Sequence, residues 1–202
     1  MPAKKQILTS RHKGLTLEWA KGYLNRPSDT ILFTDETRMP LNGPDNWIKG
    51  WVLNNEKRPI ITRRQKQGGG IMIWAGIMDD TILGPIRIPD GVKLTAKTYT
   101  KFLRENLLPF LMKLNPIQKK NFLFMQDNAP SHSARLTKDF LKISGINLMQ
   151  WPPNSPDLDP IENLCSIIKS KLYQNSKKYQ NKNALWDEIQ KITKNLYAKI
   201  IS

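Results

Sequence analysis

Cysteine, acidic side chains and long apolar runs are all scarce in this 202-residue chain. Cys165 is the single cysteine, so an intrachain disulfide is excluded and a reducing, intracellular setting is expected. One thiol also excludes the cysteine-rich zinc modules. The longest apolar run, Ile71–Met78, falls far short of the ~20 residues that span a bilayer. Met1 to Ser10 holds two lysines and no apolar stretch, so no secretory signal is visible and no membrane partner is expected. Asp and Glu number 17 against 32 Lys and Arg, giving a formal net charge of +15 and a sequence pI near 9.9. Such an excess raises the local concentration of polyanions and fits a phosphate-backbone partner, although basic surfaces also serve anionic membranes or plain solubility.

What is present suits one medium domain, since 39% apolar content is enough for a packed interior. Leu15, Leu17, Trp19, Ala20 and Leu24 predict a short helix ended by Asn25-Arg26-Pro27. Thr30–Phe33 reads as a buried strand running into Thr34-Asp35-Glu36. After the turn chemistry of Asn42-Gly43-Pro44-Asp45, Trp47–Leu53 is a strand candidate. Ile71–Met78 is a richer one, joined through Asp79-Asp80 to a hairpin partner over Ile82–Ile88. The period then changes: Tyr99, Phe102, Leu103, Phe110, Leu111 and Leu114 form the apolar stripe of a helix over Leu94–Leu114. Short strands at Asn121–Gln126 and Ile146–Met149 flank a helix over Ser133–Ile143 that stops at Ser144-Gly145. A proline-rich loop leads to a helix starting at Pro160 and capped by Asp159. Leu185, Ile189, Ile192, Leu196 and Ile200 mark a final amphipathic helix. Strands first, then alternating helices and strands, predict an α/β fold with a mixed sheet and helices packed on it.

Three acids stand at distinct places in that plan: Asp35 on the first strand, Asp127 just beyond a later one, Glu162 in the first turn of a helix. Cleaving a phosphodiester needs an activated oxygen nucleophile and neutralised charge on the phosphate, which two hard cations about 3.5–4 Å apart supply. Magnesium prefers oxygen ligands and keeps several waters, so two or three carboxylates suffice for the pair. Taken singly, each acid reads equally well as a turn, cap or helix-dipole residue. Glu36, Asp157 and Asp159 have the same claim on charge alone.

The wording around the acids narrows the choice. Phe33-Thr34-Asp35-Glu36-Thr37, Gly68-Gly69-Gly70 before the Ile71–Trp74 strand, Gln126-Asp127-Asn128-Ala129-Pro130-Ser131-His132, and the stretch from Trp151 through Pro152-Pro153-Asn154-Ser155-Pro156-Asp157-Leu158-Asp159-Pro160-Ile161-Glu162 to Asn163-Leu164 resemble the Tc/mariner superfamily of DNA transposases. The 34 residues between Asp127 and Glu162 match the interval of one branch of that family, and the resemblance runs from about Leu15 to Ala198. It implies an RNase H-like fold with helices on both faces of the sheet. It also implies catalytic, metal-holding roles for Asp35, Asp127 and Glu162, two Mg²⁺ ions with Mn²⁺ as substitute, and cut-and-paste DNA cleavage and integration at TA targets. Double-stranded DNA is the implied partner, a homodimer the implied assembly, and the nucleus the site of action in a eukaryotic host. On this reading residues 1–29 are a linker and helix, 30–175 the catalytic domain, and 176–202 a basic helix packed on it or trailing it. Asn128 and His132 become candidates for orienting substrate phosphate or water, although a lone histidine is more often a structural hydrogen-bonder; Lys57, Arg58, Arg63, Arg64 and Lys66 become candidates for gripping phosphates, with the Lys-rich tail after Lys169 next. Trp47, Trp51 and Trp151 are candidate stacking platforms; Trp74, in an apolar strand, reads as core.

The chain also departs from the family pattern. The relatives carry two helix-turn-helix modules before the catalytic domain, and no stretch before Leu15 is long enough for one, so recognition of transposon ends is not expected of this polypeptide. Cys165 stands where the family has Trp, a loss of volume that costs ~3–5 kcal/mol if nothing fills the space. Asn54-Asn55-Glu56 lacks the family's basic and glycine pattern. A transposase-derived DNA-binding protein without catalysis is therefore the alternative. An RNase H-like hydrolase of RNA–DNA hybrids is the weaker third reading, disfavoured by the proline-rich match.

Overall fold

In the computed structural model, described residues are 9–43, 69–152, 155 and 158–200. The strand expected over Trp47–Leu53 and the basic stretch from Lys57 to Lys66 lie outside them. The chain gathers into two compact units interleaved in sequence. The first takes in the chain up to Asp35, Gly76–Leu83 and Gly91–Glu162; the second takes in Glu36–Ala75, Gly84–Asp90 and the chain from Asn163 onward.

Helix α1 (Ser10–Tyr23) opens the first unit, its first turn capped by the Thr9 hydroxyl, which accepts from His12 N–H at 3.2 Å. After Pro27 a single 3-10 turn leads into strand β1 (Ile31–Pro40). Strands β2 (Gly70–Met78) and β3 (Thr81–Ile88) follow, then β4 (Leu123–Met125) and the two-residue β5 (Asn147–Leu148). They form one five-stranded sheet in the order β3-β2-β1-β4-β5. β1, β4 and β5 are mutually parallel. β2 and β3 are joined by the expected two-residue turn, which only an antiparallel pair permits, with Asp79 at φ 53°, a left-handed value that aspartate tolerates better than most residues. β2 also runs against β1. A Cβ on Gly70 would meet the Met39 carbonyl oxygen at 2.6 Å, while one on Gly76 would meet Leu32 and Thr34 at 3.0 and 3.1 Å, so position rises on one strand as it falls on the other. The sheet is therefore mixed.

Helix α2 (Ala96–Lys113) starts at a capping box in which Thr95 and Thr98 satisfy each other's backbone N–H groups. It buries Tyr99, Phe102, Leu103 and Leu107, each such apolar side chain contributing about 1.5–3 kcal/mol. It packs on the short helix α4 (Pro130–Ser133) and on α5 (Arg135–Ile143). Between α2 and β4 lies α3 (Pro116–Asn121), with its own Asn115/Gln118 capping box. The helix expected over Ser133–Ile143 is α5, which starts two residues later; the short α4 before it is separated from it by Ala134, extended at ψ 144°, and the Thr137 hydroxyl donates back to the Ser131 carbonyl at 2.6 Å. In the core of this unit Ile31, Leu123, Met125 and Met149 pack together, with Trp19, Tyr23, Phe33 and Trp151 against them.

The second unit contains most of α6 (Pro160–Leu172), which begins in the first, and α7 (Lys182–Ile200). Met39, Ile73, Trp74, Ile168, Leu185 and Ile189 are fully buried here, so Trp74 is a core residue as its strand implied. Tyr173 Oη donates to the Pro40 carbonyl at 2.7 Å, and Tyr179 N–H to that of Leu41 at 2.9 Å. Cys165 is buried as well.

Candidate active site

The parallel register of β1 and β4 pairs Ile31 with Leu123, Leu32 with Phe124 and Phe33 with Met125. Asp35 and Asp127 each follow the last pair by two residues, the interval over which a strand returns to one face. The buried Thr34 hydroxyl donates to the Met125 carbonyl at 2.8 Å and ties the two strand ends together. On the neighbouring segment Asp159 caps α6, its Oδ1 accepting from Ile161 N–H at 3.2 Å, and Pro160 occupies the first helical position. That start places Glu162 in the first turn. All four carboxylates, Asp35, Asp127, Asp159 and Glu162, line one open cavity of about 360 Å³ within the first unit, with Asn128, Trp151 and Ser155 among its other walls.

Asp127 is held most tightly. Its Oδ1 accepts from Ala129 N–H at 2.8 Å and lies 2.5 Å from His132 Nδ1, so Oδ2 is the oxygen left to face the cavity's contents. The hydrogen bond to His132 holds the Asp127 carboxyl below the usual range, helped by Ala129 N–H and by the imidazole's charge, against a smaller desolvation effect. The carboxylate remains 57% exposed while the imidazole is only 4% exposed. The imidazole stacks on Tyr99 at 4.2 Å between centroids; Tyr99 Oη donates to Gln126 Oε1 at 2.8 Å, and Gln126 Nε2 donates to the His132 carbonyl at 3.3 Å. His132 thus orients an acid from within the protein, the structural hydrogen-bonding role that the sequence offered beside contact with substrate; Asn128 is the exposed member of that pair.

Asp159 behaves oppositely. Burial pushes its carboxyl up to about 7; the Ile161 N–H opposes this, and the charges of Asp35, Glu162 and Asp127 add to it. Sequence reasoning treated Asp159 as a cap and one of several acids equal on charge. Of the others, Glu36 falls in the second unit and Asp157 lies outside the described residues. The Tyr99–Gln126 support was missed, although a tyrosine on the buried stripe of a helix signals a phenol in need of a partner.

The donors are hard oxygens with mutually repelling charge, a set that suits divalent magnesium or manganese. Among the described residues no three acidic, imidazole or thiol groups are drawn to a common ligating point.

Comparison with known proteins places the chain in a family. Residues 30–186 match the family model described as DDE superfamily endonuclease. The transposable element Tc3 transposase of Caenorhabditis elegans is 33% identical over 173 residues, covering 86% of this chain and 51% of that protein. The Tc1 transposase of the same species is 27% identical, covering 85% and 63%. The chain thus spans between about half and two thirds of the length of these relatives. Among solved structures, the catalytic domain of Mos1 mariner transposase superposes with a TM-score of 0.59 at 17% identity, covering 97% of this chain and 95% of that one. A Mos1 paired-end complex with the left transposon end gives 0.68, covering 100% and 66%. The fold is the RNase H-like mixed sheet of those enzymes, and the chain belongs to the DDE superfamily endonucleases as a catalytic domain of the Tc/mariner DDE transposase type.

Proposed function

We propose that the cavity is a two-cation phosphodiester-transfer centre that cleaves DNA and joins the freed end to a new target, as cut-and-paste transposition and DNA integration require. The observation that carries this reading is the convergence of Asp35, Asp127 and Glu162 on one cavity from β1, the end of β4 and the first turn of α6. Bound there, a pair of Mg²⁺ or Mn²⁺ ions would activate the oxygen nucleophile and neutralise charge on the scissile phosphate. Mos1 catalytic domain has been solved with each of these metals. The chain's own residues prepare the cavity. His132 and Ala129 fix the rotamer of Asp127 and keep it ionised, so Oδ2 is presented without a proton to remove. Thr34 holds the two strand ends in phase. Burial among the other acids raises the Asp159 carboxyl to about 7, so positive charge entering the cavity would favour its ionised form. Asn128, exposed and lining the cavity, carries an amide that could donate to a phosphate or a water.

The partner is double-stranded DNA, supported by the +15 net charge; the Lys57–Lys66 stretch is the proposed phosphate grip, TA dinucleotides the target and a homodimer the assembly, acting in the nucleus of a eukaryotic host. The test is nicking of supercoiled plasmid in Mn²⁺. Wild type should nick, and Asp127→Asn should lower the rate by at least roughly a hundredfold while keeping DNA affinity. A folded wild-type sample that binds DNA without nicking it would refute the catalytic reading in favour of a DNA-binding derivative.

A further inference from the structure

We propose that a second cavity, sharing a wall with the carboxylates, receives one unstacked base of the DNA strand being cut. This rests on the DNA-cleaving reading and adds a base-binding subsite to it. The cavity, about 350 Å³, lies within the first unit between α1 and the segment Gln150-Trp151-Pro152; Trp151 and Pro152 also line the catalytic cavity. Its walls are aromatic. Trp19 meets Trp151 edge-on at 5.0 Å and lies tilted against Tyr23 at 5.1 Å, and all three rings rest on the Ile31–Leu123–Met125–Met149 core. The platform is therefore fixed before anything binds. Every base offers a π-face to such walls.

Its polar groups suit a base better than a phosphate. Glu18 is an acceptor and an anion, and Gln150 can accept through its carbonyl, so exocyclic amines are favoured and phosphate oxygens repelled. Cationic charge lies outside: the Arg26 guanidinium stands 6.0 Å from the Tyr23 ring centroid, suited to the phosphate flanking the base. The position of α1 is pinned to the catalytic rim as well, because Thr16 Oγ1 and Ser155 Oγ are 2.9 Å apart and Ser155 lines the carboxylate cavity.

Gly22 makes the test clean. It lines the cavity, and a Cβ added there meets nothing within 4 Å, so Gly22→Leu fills the space without removing a packed residue and favours the helix. The measurement is fluorescence anisotropy in Ca²⁺ with a duplex bearing a short single-stranded extension, either with adenine bases or abasic. Wild type should bind the adenine extension roughly tenfold more tightly, the value of one stacked base, and Gly22→Leu should lose that preference while its abasic affinity stays unchanged. Glu18→Gln should narrow the preference for adenine over thymine. Equal affinity of wild type for base-bearing and abasic extensions, survival of the preference in Gly22→Leu, or free dAMP binding as tightly as the extended duplex would each overturn the proposal. Plasmid nicking by the same sample keeps the two readings apart: intact nicking with no base preference overturns the subsite alone.

Discussion

Asp127 and Asp159 face one cavity from opposite supports. At the end of β4, Asp127 is more than half exposed, accepts from Ala129 and His132, and has its carboxyl lowered. At the start of α6, Asp159 is more buried, accepts a single N–H from Ile161, and is raised to about 7. Both are aspartates lining the same cavity. The difference comes from donors: two aimed at one oxygen outweigh partial desolvation, whereas one cannot outweigh deeper burial among three other acids. One wall thus carries an ionised carboxylate, and the other a carboxyl whose charge state is sensitive to pH and to neighbouring charge.

Removing the donor side of that contrast should have the largest effect. His132→Ala takes away the Nδ1 contact and the ring against Tyr99, leaving Asp127 free to rotate. Outer supports of metal ligands typically matter by about 10–100-fold in affinity or activity. The Mn²⁺ concentration that half-saturates nicking should rise by about that factor. An unchanged Mn²⁺ midpoint in a folded variant would show that the imidazole is only packing.

Asp159→Asn addresses the other wall. Asparagine caps a helix as well as aspartate does, so the Ile161 N–H keeps an acceptor while the charge goes. The folded-state value near 7 stands above the unfolded 3.8, so the contribution of Asp159 to stability is fully present below pH 4 and is lost as pH rises from about 4 to 7. The metal-free variant should therefore match wild type at pH 4 and exceed it at pH 8 by about 1–2 kcal/mol, after allowing for solvent screening. Urea melts at the two pH values measure this, and saturating Mn²⁺ should close the gap by stabilising the wild type. A variant less stable than wild type at pH 8 would mean that the carboxylate is not under strain.

Much of this cavity was readable before any coordinates, and the unread parts share a cause. Strand Ile71–Met78, the Asp79-Asp80 hairpin and the Asp159-Pro160 helix start are local signals, set by side-chain period, turn chemistry and capping within a few residues. Asp35, Asp127 and Glu162 stood out through the wording around them, and their meeting then depended on β1 and β4 being parallel neighbours. The break at Ala134 was hidden because it is enforced from outside the local pattern, by Thr137 reaching Ser131 and His132 reaching Asp127. Helix α3 was legible in principle from Asn115-Pro116 and Gln118, but six residues are too few to show a period. Asp159 was legible as a cap and not as a strained acid, since burial depends on everything folded around it.

The smallest expected effect tests how far the order at Asp127 extends into the core. Tyr99→Phe deletes only the hydroxyl that donates to Gln126 Oε1, leaving that carbonyl buried without its phenol donor while the ring against His132 remains. The stability cost should be about 1 kcal/mol. Because the ring and the Gln126–His132 hydrogen bond persist, the Mn²⁺ midpoint should move far less than in His132→Ala. If it moves as far, the phenol rather than the ring is what positions the imidazole. The double variant Tyr99→Phe with Gln126→Leu moves the orphaned carbonyl from Gln126 to His132. Urea stability should therefore stay close to that of Tyr99→Phe, while loss of the Gln126 amide should shift the Mn²⁺ midpoint. A shifted midpoint at unchanged stability would mark Gln126 as the link between the core and the ionised wall.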